Sequence, residues 1–313
     1  MSKVAVIVGS HGQDGKFAFD LLAEKGYEVI GIDRGVVKTH GTKWDTVVDI
    51  ADKNAVSQFL KEVQPDEIYY LAAFHHSSED QEIDETELFE QSYAVNVFSY
   101  LNFLQGIRLY SPKTRIFYAA SSLIFGEADT EVQDETTPFR PNSAYGITKL
   151  DGLMLSRYYR EKYGIFAAVG IFYNHESEYR SGKFISMKIV EAAVNIKKGV
   201  QSELVIGDLA AEVDWGYAPD YIDASYRILQ LEDADEYIIA TGQKHSIQQL
   251  VSAAFGYVGL DWKQYVRENK AILTRRRKPM VGNPEKLKQA TGWQSKIGFD
   301  EMIRKMVDFK MQT

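Results

Sequence analysis

Three residues of this sequence have the types and the spacing of a proton-transfer site. Ser121 ends a strand-like run, and Tyr145 and Lys149 follow after a loop. If the segment that carries them is helical, Tyr145 and Lys149 share one face, one turn apart, and the serine hydroxyl can meet them there. A phenol titrates at about 10 unaided, and a neighbouring ammonium favours the phenolate, which accepts a proton. Ser121, Tyr145 and Lys149 are therefore our candidate catalytic residues, with Ser121 holding a substrate hydroxyl.

The spacing alone has an ordinary alternative. Tyr158 and Lys162 repeat it in a segment that is typical of a solvated helix face. A proton-transfer site is favoured only if other elements of the chain bring a cofactor and a substrate to Tyr145 and Lys149.

Length and composition restrict the classes of protein to consider. The chain has 313 residues, of which 45% are hydrophobic and 26% charged, so it can bury a core and form one or two domains. Its net charge of −8 argues against nucleic acid or an anionic membrane as a partner. Cysteine is absent, which excludes disulfides and thiolate chemistry. The first residues lead directly into a strand and no apolar run reaches about 18 residues, so we expect a cytoplasmic protein.

The amino-terminal segment has the pattern of a dinucleotide-binding β-α-β unit. Residues 3–8 form an apolar strand-like run, residues 17–25 have helical spacing, and residues 28–32 form a second strand. Glycines at the first turn let the backbone approach a pyrophosphate and place that anion on a helix N-terminus. The alternative is a tight glycine-rich turn that binds nothing. The candidate cofactor-binding residues of this turn are Gly9, Gly12, Gln13, Asp14 and Gly15.

Asp33 follows the second strand and indicates which dinucleotide is bound. A carboxylate at this position accepts hydrogen bonds from a ribose diol and repels a 2′-phosphate. The sequence therefore favours NAD over NADP, although Arg34 beside it softens the discrimination. Both residues are candidate cofactor contacts.

Strands and helices continue to alternate after this unit. This order predicts an α/β fold with a doubly wound parallel sheet of the Rossmann type and right-handed crossovers. A cofactor then lies across the carboxyl ends of the strands, where Ser121 would also project. The residues that follow such strands and become further candidate cofactor contacts are Asp49, Ile50, Ala72 and Ala73. We predict strands at residues 46–50, 67–72, 115–120 and 166–172, and helices at residues 53–63, 87–109 and 143–163.

Regularity drops after Asn174. The later segments predict a helix at residues 188–197 and strands at residues 204–206 and 236–240. We expect a dinucleotide-binding domain of residues 1–173 with roughly 214–242, and a smaller mixed substrate-binding lobe. That lobe would be discontinuous and would comprise residues 174–213 and 243–313.

A set of short motifs occurs in order along most of the chain. They are Gly12-Gln13-Asp14-Gly15, Glu135-Thr136-Thr137-Pro138-Phe139, Phe172-Tyr173-Asn174-His175-Glu176-Ser177, Asp214-Trp215-Gly216, Ile239-Ala240-Thr241-Gly242 and His245-Ser246. Together with the glycine turn and the Ser, Tyr and Lys residues, they resemble the extended short-chain dehydrogenase/reductase superfamily. Within it the chain is similar to the GDP-mannose 4,6-dehydratase group.

The resemblance implies a mechanism. Tyr145 would take the proton of the sugar 4-hydroxyl while a hydride passes from C4 to the nicotinamide, and Ser121 would hydrogen-bond O4. Lys149 would lower the pKa of the tyrosine and hold the nicotinamide ribose, so the resemblance makes Tyr145 and Lys149 candidate cofactor contacts as well. The candidate substrate-binding residues beside the sugar or its diphosphate are Ser122, Leu123, Asn174 and Lys188. Without the resemblance, Lys188 reads as a solvated helix cation.

Leu123 is a departure from the group's pattern. The dehydratases carry a Glu at this position, which removes the C5 proton and helps to expel the 6-hydroxyl, and leucine cannot accept a proton. Losing a positioned base costs about 10²- to 10⁴-fold in rate. Elimination therefore becomes doubtful, whereas oxidation or reduction at C4 is unaffected. Glu127 would replace the base only if its loop folded back.

Two further positions depart from the group. Val213 stands where the pattern has an arginine that would bind phosphate, and Asp33 stands in place of arginines that bind NADP. A basic run that begins at Arg275 would either compensate as a substrate contact or form a solvated loop.

Three functions remain open. The first is NAD-dependent redox at C4 of a nucleotide sugar, by a 4-ketoreductase, 4-epimerase or 4-oxidase, with a GDP-hexose as the expected substrate. The second is a 4,6-dehydratase that uses another base, and the third is a non-catalytic NAD-binding protein.

His75 and His76 either approach the sugar or pack as polar side chains, and we expect no metal site. The family's four-helix contact predicts at least a homodimer, through residues 92–109 and 145–161.

Overall fold

The structure is a computed structural model that describes residues 2–42, 44, 46–76, 83–272 and 279–313. Its strands are β1 (Val4–Val8), β2 (Glu28–Asp33), β3 (Val36–His40), β4 (Glu67–Tyr70), β5 (Arg115–Ser121), β6 (Val132–Gln133), β7 (Ala167–Phe172), β8 (Asn174–Glu176), β9 (Leu204–Ile206), β10 (Glu212–Tyr217), β11 (Glu236–Ile239), β12 (Lys244–Ser246), β13 (Val266–Glu268) and β14 (Val281–Gly282). Its helices are α1 (Gln13–Glu24), α2 (Lys53–Val63), α3 (Glu85–Tyr93), α4 (Ser99–Tyr110), α5 (Ala144–Tyr163), α6 (Ile185–Lys197), α7 (Ala218–Leu229), α8 (Ile247–Tyr257), α9 (Glu285–Thr291) and α10 (Phe299–Gln312).

The largest sheet confirms the predicted α/β class. Its order is β11-β7-β5-β4-β1-β2-β3, and every neighbouring pair except β2 with β3 is parallel. Strands β4, β7 and β11 are buried along their whole length, because helices cover both faces of the sheet. Helices α2, α4 and α5 contribute to the core on one face, and α1 and α7 to the core on the other.

The strand predicted at residues 46–50 is wrong. After β2 the chain turns back and β3 pairs antiparallel with it, from Val29 with His40 to Asp33 with Val36, so β3 takes the edge of the sheet. The main-chain groups near Ile50 are bound by side chains instead of a neighbouring strand. Asn102 donates to the carbonyl of Ile50 at 3.1 Å. A short apolar run can be a strand or a covered loop, and its pattern does not separate the two.

The long helix predicted at residues 87–109 is interrupted by a π-helical turn at Ala94–Phe98, between α3 and α4. Two buried tyrosines of the sheet donate hydrogen bonds to carbonyls of this turn. Tyr70 donates to the carbonyl of Val95 at 2.6 Å, and Tyr118 donates to that of Asn96 at 2.9 Å. Hydroxyl groups that bind these carbonyls explain the local widening of the helix.

A separate core lies beyond the carboxyl end of the large sheet. It joins α6, α8 and α10 to β9, β10 and β13, with Trp215 among its buried aromatic residues. The remaining strands form smaller sheets, which are β12-β10-β8, β13-β9 and β14-β6. The chain returns to the larger body at Leu287 and Trp293, which pack in the core beside α7. These small sheets place β8 and β10 next to the carboxyl ends of the parallel strands.

Candidate active site

One cavity of about 2270 Å³ brings the predicted site residues together. It opens at the carboxyl ends of the parallel strands, as expected for this sheet topology. A pocket for one drug-sized ligand occupies about 300–1,000 Å³, so this cavity has room for two. The predicted residues that line it are Gly9, Gly12, Gln13, Asp14, Gly15, Asp33, Arg34, Asp49, Ile50, Ala72, Ala73, Ser121, Ser122, Leu123, Tyr145, Lys149, Asn174 and Lys188. Arg275 lies outside the described residues.

The glycine turn between β1 and α1 is closely packed and needs its glycines. Gly9 has a φ of +92°, and a Cβ added to it would lie 2.7 Å from the amide nitrogen of Ala72. A Cβ at Gly15 would collide with the carbonyl of Gly9. The cap residue of α1, Gly12, has no side chain to bind the first amides of the helix. Those amides therefore point toward the cavity, which is the arrangement that binds a pyrophosphate.

Asp33 ends β2 and turns its carboxylate toward this glycine turn. It accepts the backbone amide of His11 at 2.9 Å and that of Arg34 at 2.8 Å. The His11 imidazole is 3.7 Å from the same carboxylate. These amides fix the side chain at the edge of the cavity, where a carboxylate meets the adenosine ribose in sheets of this type.

The three candidate catalytic residues come from β5 and the first turns of α5. Ser121 ends β5 and its hydroxyl accepts the amide of Leu123 at 3.3 Å, which caps a short 3₁₀ turn. Ser143 caps α5 by accepting the amide of Gly146 at 3.2 Å, so Tyr145 lies in the first turn of the helix. The Lys149 ammonium lies 5.6 Å from the centre of the Tyr145 ring.

Lys149 has a more specific environment than its spacing indicates. Its side chain is 1% exposed, and Nζ donates to the carbonyl of Ala119 at 2.8 Å. Burial lowers the pKa of Lys149 to about 7, although the negative charge of Asp14 opposes the shift. The ammonium is therefore anchored on the strand that carries Ser121.

Burial, rather than the lysine, dominates the titration of Tyr145. Burial raises the pKa of Tyr145 above its ordinary value, and the positive charge of Arg180 offsets only part of this effect. The sequence analysis expected the ammonium of Lys149 to lower the pKa of the phenol. With the protein's own groups alone, this lowering is absent. Tyr145 and Lys149 lie next to each other as expected, but the pKa of Tyr145 is raised and not lowered.

Leu123 follows Ser121 in the cavity wall, and its carbonyl packs closely against Gly146 of α5. Glu127, the proposed replacement base, is exposed and does not belong to the lining of the cavity. Two carboxylates that do line it are already paired. Asp14 binds His175 at 3.0 Å, and Glu176 binds Arg180 at 3.0 Å.

His175 and Arg180 are site residues that sequence reasoning missed. Burial alone would lower the pKa of His175, but the Asp14 carboxylate raises it above the ordinary value. Burial alone would likewise raise the pKa of Asp14, yet the charge of His175 and its hydrogen bond hold it below the ordinary value. The pair is therefore ionic and ties α1 to β8. Gln13 strengthens this tie by donating to the carbonyl of His175 at 3.1 Å.

Val213 lies in β10 with no charge to offer to a phosphate. It is half-buried and packs against the smaller core, while Glu212 beside it pairs with Lys244 at 2.7 Å. On this substrate side, the basic side chains that line the cavity include Arg180, Lys183 and Lys188.

The described residues hold neither a cluster of metal ligands nor a helix that could span a bilayer. In that part of the chain, no group of three or more His, Asp or Glu side chains is arranged to hold a metal ion. Within the same ranges no helix is both long enough and apolar enough to cross a bilayer.

Comparison with known proteins identifies relatives over nearly the whole chain. The family model described as GDP-mannose 4,6 dehydratase matches residues 6–306. GDP-mannose 4,6 dehydratase 1 of Arabidopsis thaliana is 33% identical over 329 residues, which cover 98% of this chain and 89% of that protein. The human GDP-mannose 4,6 dehydratase is 30% identical over 346 residues, which cover 97% of this chain and 90% of its own.

Solved structures share the fold at lower identity. RMD from Pseudomonas aeruginosa, complexed with NADPH, has a TM-score of 0.84 at 18% identity and covers 99% of both chains. The UDP-glucose 4-epimerase of Thermus thermophilus, in complex with NAD, has a TM-score of 0.81 at 24% identity and covers 98% of both. These similarities establish the fold, and the function rests on the site.

Proposed function

Because the chain belongs to the GDP-mannose 4,6-dehydratase family, we propose that it is a NAD(H)-dependent enzyme that transfers a hydride at C4 of a nucleotide sugar. A GDP-hexose is the proposed substrate. One observation carries the proposal: Ser121, Tyr145 and Lys149 line the same cavity as the glycine turn and Asp33. Redox chemistry at C4 needs these groups and no carboxylate, and position 123 is a leucine.

Each of the three residues has a role in the proposed oxidation of the sugar at C4. In the oxidation, the C4 hydrogen leaves as hydride for the nicotinamide, and the proton of the 4-hydroxyl passes to the oxygen of Tyr145. Ser121 hydrogen-bonds the same sugar oxygen and holds C4 in place. Lys149 binds the nicotinamide ribose. A 4-oxidase uses this step, a 4-ketoreductase its reverse, and a 4-epimerase both in succession.

Asp33 supports NAD as the proposed cofactor. Its carboxylate, held by the amides of His11 and Arg34, accepts the ribose hydroxyls and repels a 2′-phosphate. When bound, the nicotinamide ring accepts or returns the hydride. Both NAD and NADPH occur in the names of the solved relatives, so the carboxylate is the observation that favours NAD.

We assign the two ligands to different parts of the chain. Residues 1–173 with roughly 214–242 would bind the dinucleotide, and residues 174–213 and 243–313 would form most of the lobe over the nucleotide sugar. The separate core of α6, α8 and α10 supports this division. Asn174 and Lys188, which line the cavity on that side, would contact the sugar diphosphate.

A second candidate function is 4,6-dehydration with another base. The names of the curated relatives favour it, since several are GDP-mannose 4,6-dehydratases. Leu123 opposes it, because the residue cannot remove the C5 proton. A non-catalytic NAD-binding protein, the remaining alternative, has no need of a buried lysine beside a cavity-lining tyrosine.

Incubation with GDP-mannose and NAD⁺ separates these functions. An NADH absorbance or a 4-epimer supports the proposal, and a product lighter by one water indicates dehydration. Binding of NAD⁺ without turnover of GDP-mannose would support the non-catalytic alternative. Tyr145→Phe is expected to abolish turnover while NAD⁺ still binds, and a fully active variant would refute the assigned role.

We also propose a homodimer or a higher homo-oligomer formed through the face that the π-helical turn, α4 and α5 expose. This face carries Phe98, Leu109, Met154 and Tyr158, which are 59%, 49%, 41% and 47% exposed. Several large apolar side chains exposed on neighbouring helices are typical of helix–helix interfaces. Light scattering is expected to show at least a dimer, and Phe98→Glu with Met154→Glu is expected to reduce it to a monomer. A cytoplasmic location stays a prediction.

A further inference from the structure

We propose that His75 is a second proton-transfer group of the site, which removes and returns a proton on a carbon next to C4 of the sugar. The inference rests on the proposed function, because a C–H bond at C3 or C5 becomes acidic only after C4 is oxidised to a ketone. It extends that function from redox at C4 to carbon acid chemistry beside C4.

His75 lies against the candidate catalytic tyrosine. Its ring centre is 4.9 Å from that of Tyr145, and the ring planes cross at 76°, an edge-to-face contact. Phe184 flanks the imidazole at 5.4 Å between ring centres. His75 is exposed and lines the cavity together with Leu123. An imidazole that a ligand can reach therefore sits beside the phenol that would hold the proton of O4.

The backbone at His75 is held in place relative to α5. Asn96 of the π-helical turn accepts the amide of Phe74 at 2.9 Å and donates to the carbonyl of the same residue at 3.3 Å. The same side-chain amide donates to the hydroxyl of Thr148 at 3.0 Å. Asn96 is fully buried. One side chain thus fixes both the residue before His75 and the helix that carries Tyr145, which is the preorganisation that proton transfer requires.

Two carboxylates of the cavity wall are engaged in ion pairs, and the position of the dehydratase base holds no proton acceptor. Asp14 and Glu176 line the cavity, but each forms an ion pair at 3.0 Å, and position 123 is a leucine. Imidazole is the commonest general base at neutral pH. In the proposed step, a neutral His75 nitrogen takes the proton from C3 or C5, and the electron pair of that C–H bond moves into an enolate with its negative charge on O4. The resulting imidazolium exchanges its proton with water and returns a proton to the same carbon.

Solvent exchange tests this step directly. With GDP-mannose and NAD⁺ in D₂O, the wild type is expected to incorporate deuterium at C3 or C5, which NMR of the sugar locates. Hydride transfer is measured separately, as deuterium passed to the cofactor from C4-deuterated GDP-mannose. His75→Gln and His75→Phe are expected to slow solvent exchange by about 10²- to 10⁴-fold and to change hydride transfer by only a few-fold. The phenylalanine variant keeps the ring contact with Tyr145 and removes only the nitrogens.

Two control variants make the outcome decisive. Tyr145→Phe is expected to remove both signals, and His40→Asn, at an exposed residue of the sheet edge, is expected to change neither. Hydride transfer in the wild type without solvent exchange would overturn the inference, as would exchange that persists in both His75 variants. Either result leaves the proposed function intact. If the wild type transfers no hydride from GDP-mannose, the proposed function fails and the inference fails with it.

Discussion

Replacing Lys149 with Met is expected to stabilise the folded protein and to remove its activity. The lysine is 1% exposed, and its Nζ donates to the carbonyl of Ala119 at 2.8 Å. Methionine has a similar length and needs no hydration, so it fills the same space without a buried ammonium. The active site would then be a place where function costs stability.

The size of the effect follows from the pKa of Lys149, which burial lowers to about 7. An unfolded lysine titrates at about 10.4. Between these two values the unfolded chain holds more protons than the folded one, so stability rises with pH. The desolvated lysine costs about 4 kcal/mol at a pH of about 7 and about 1 kcal/mol at a pH of about 9.5. In the Met variant the carbonyl of Ala119 loses its hydrogen-bond donor, and this reduces the gain in stability by about 1–3 kcal/mol.

Urea unfolding of the wild type and of Lys149→Met at both pH values measures this difference. The variant is expected to be more stable by about 1–3 kcal/mol at neutral pH, and the gap is expected to shift by about 3 kcal/mol toward the wild type at high pH. Groups that do not interact with Lys149 titrate equally in both proteins, so they cancel in the subtraction. A gap that does not change with pH would refute the lowered pKa of Lys149.

Further predictions concern three carboxylates. Asp33→Ser removes the charge that opposes a 2′-phosphate, worth about 1–4 kcal/mol at 4 Å, so the ratio of NADP⁺ to NAD⁺ affinity is expected to rise about 10- to 100-fold in calorimetric titrations. Asp14→Asn removes the partner that raises the pKa of His175, and imidazole NMR is expected to show a lower pKa in the variant. Asp214 is fully buried and accepts three backbone amides and the Thr241 hydroxyl, so Asp214→Asn is expected to lower the free energy of unfolding by about 2–4 kcal/mol in urea.

The sequence was most informative where the apolar runs are continuous. The runs that became β1, β5 and β7 are buried on both faces, so their continuous hydrophobicity has one reading, and the glycine turn follows from the same pattern. The run at residues 46–50 contains Thr46 and Asp49; Asn102 binds the carbonyl of Ile50, and β3 occupies the sheet edge. The π-helical turn was also beyond prediction, since it depends on hydroxyls that reach it from other strands.

The site shows the same division between local pattern and tertiary contact. Spacing along one helix predicted that Tyr145 and Lys149 would be neighbours. His175 stands in a stretch with no periodicity, and its pairing with Asp14 depends on where β8 meets the glycine turn. Arg180 pairs with Glu176, four residues before it, in a segment outside any helix. The lowered pKa of Lys149 was unpredictable for a related reason, because burial is a property of the whole fold.

The titration of Tyr145 and Lys149 bears on the direction of the proposed reaction. Burial raises the pKa of Tyr145, so at neutral pH the phenol holds its proton and is prepared to donate it to O4 of a 4-keto sugar. Burial lowers the pKa of Lys149 to about 7, so the lysine supplies only part of a positive charge to favour the phenolate. An oxidised nicotinamide brings a fixed positive charge when it is bound, and a reduced one does not. The protein's own groups therefore keep Tyr145 protonated, and its role as a base in the proposed oxidation depends on the charge of the bound cofactor.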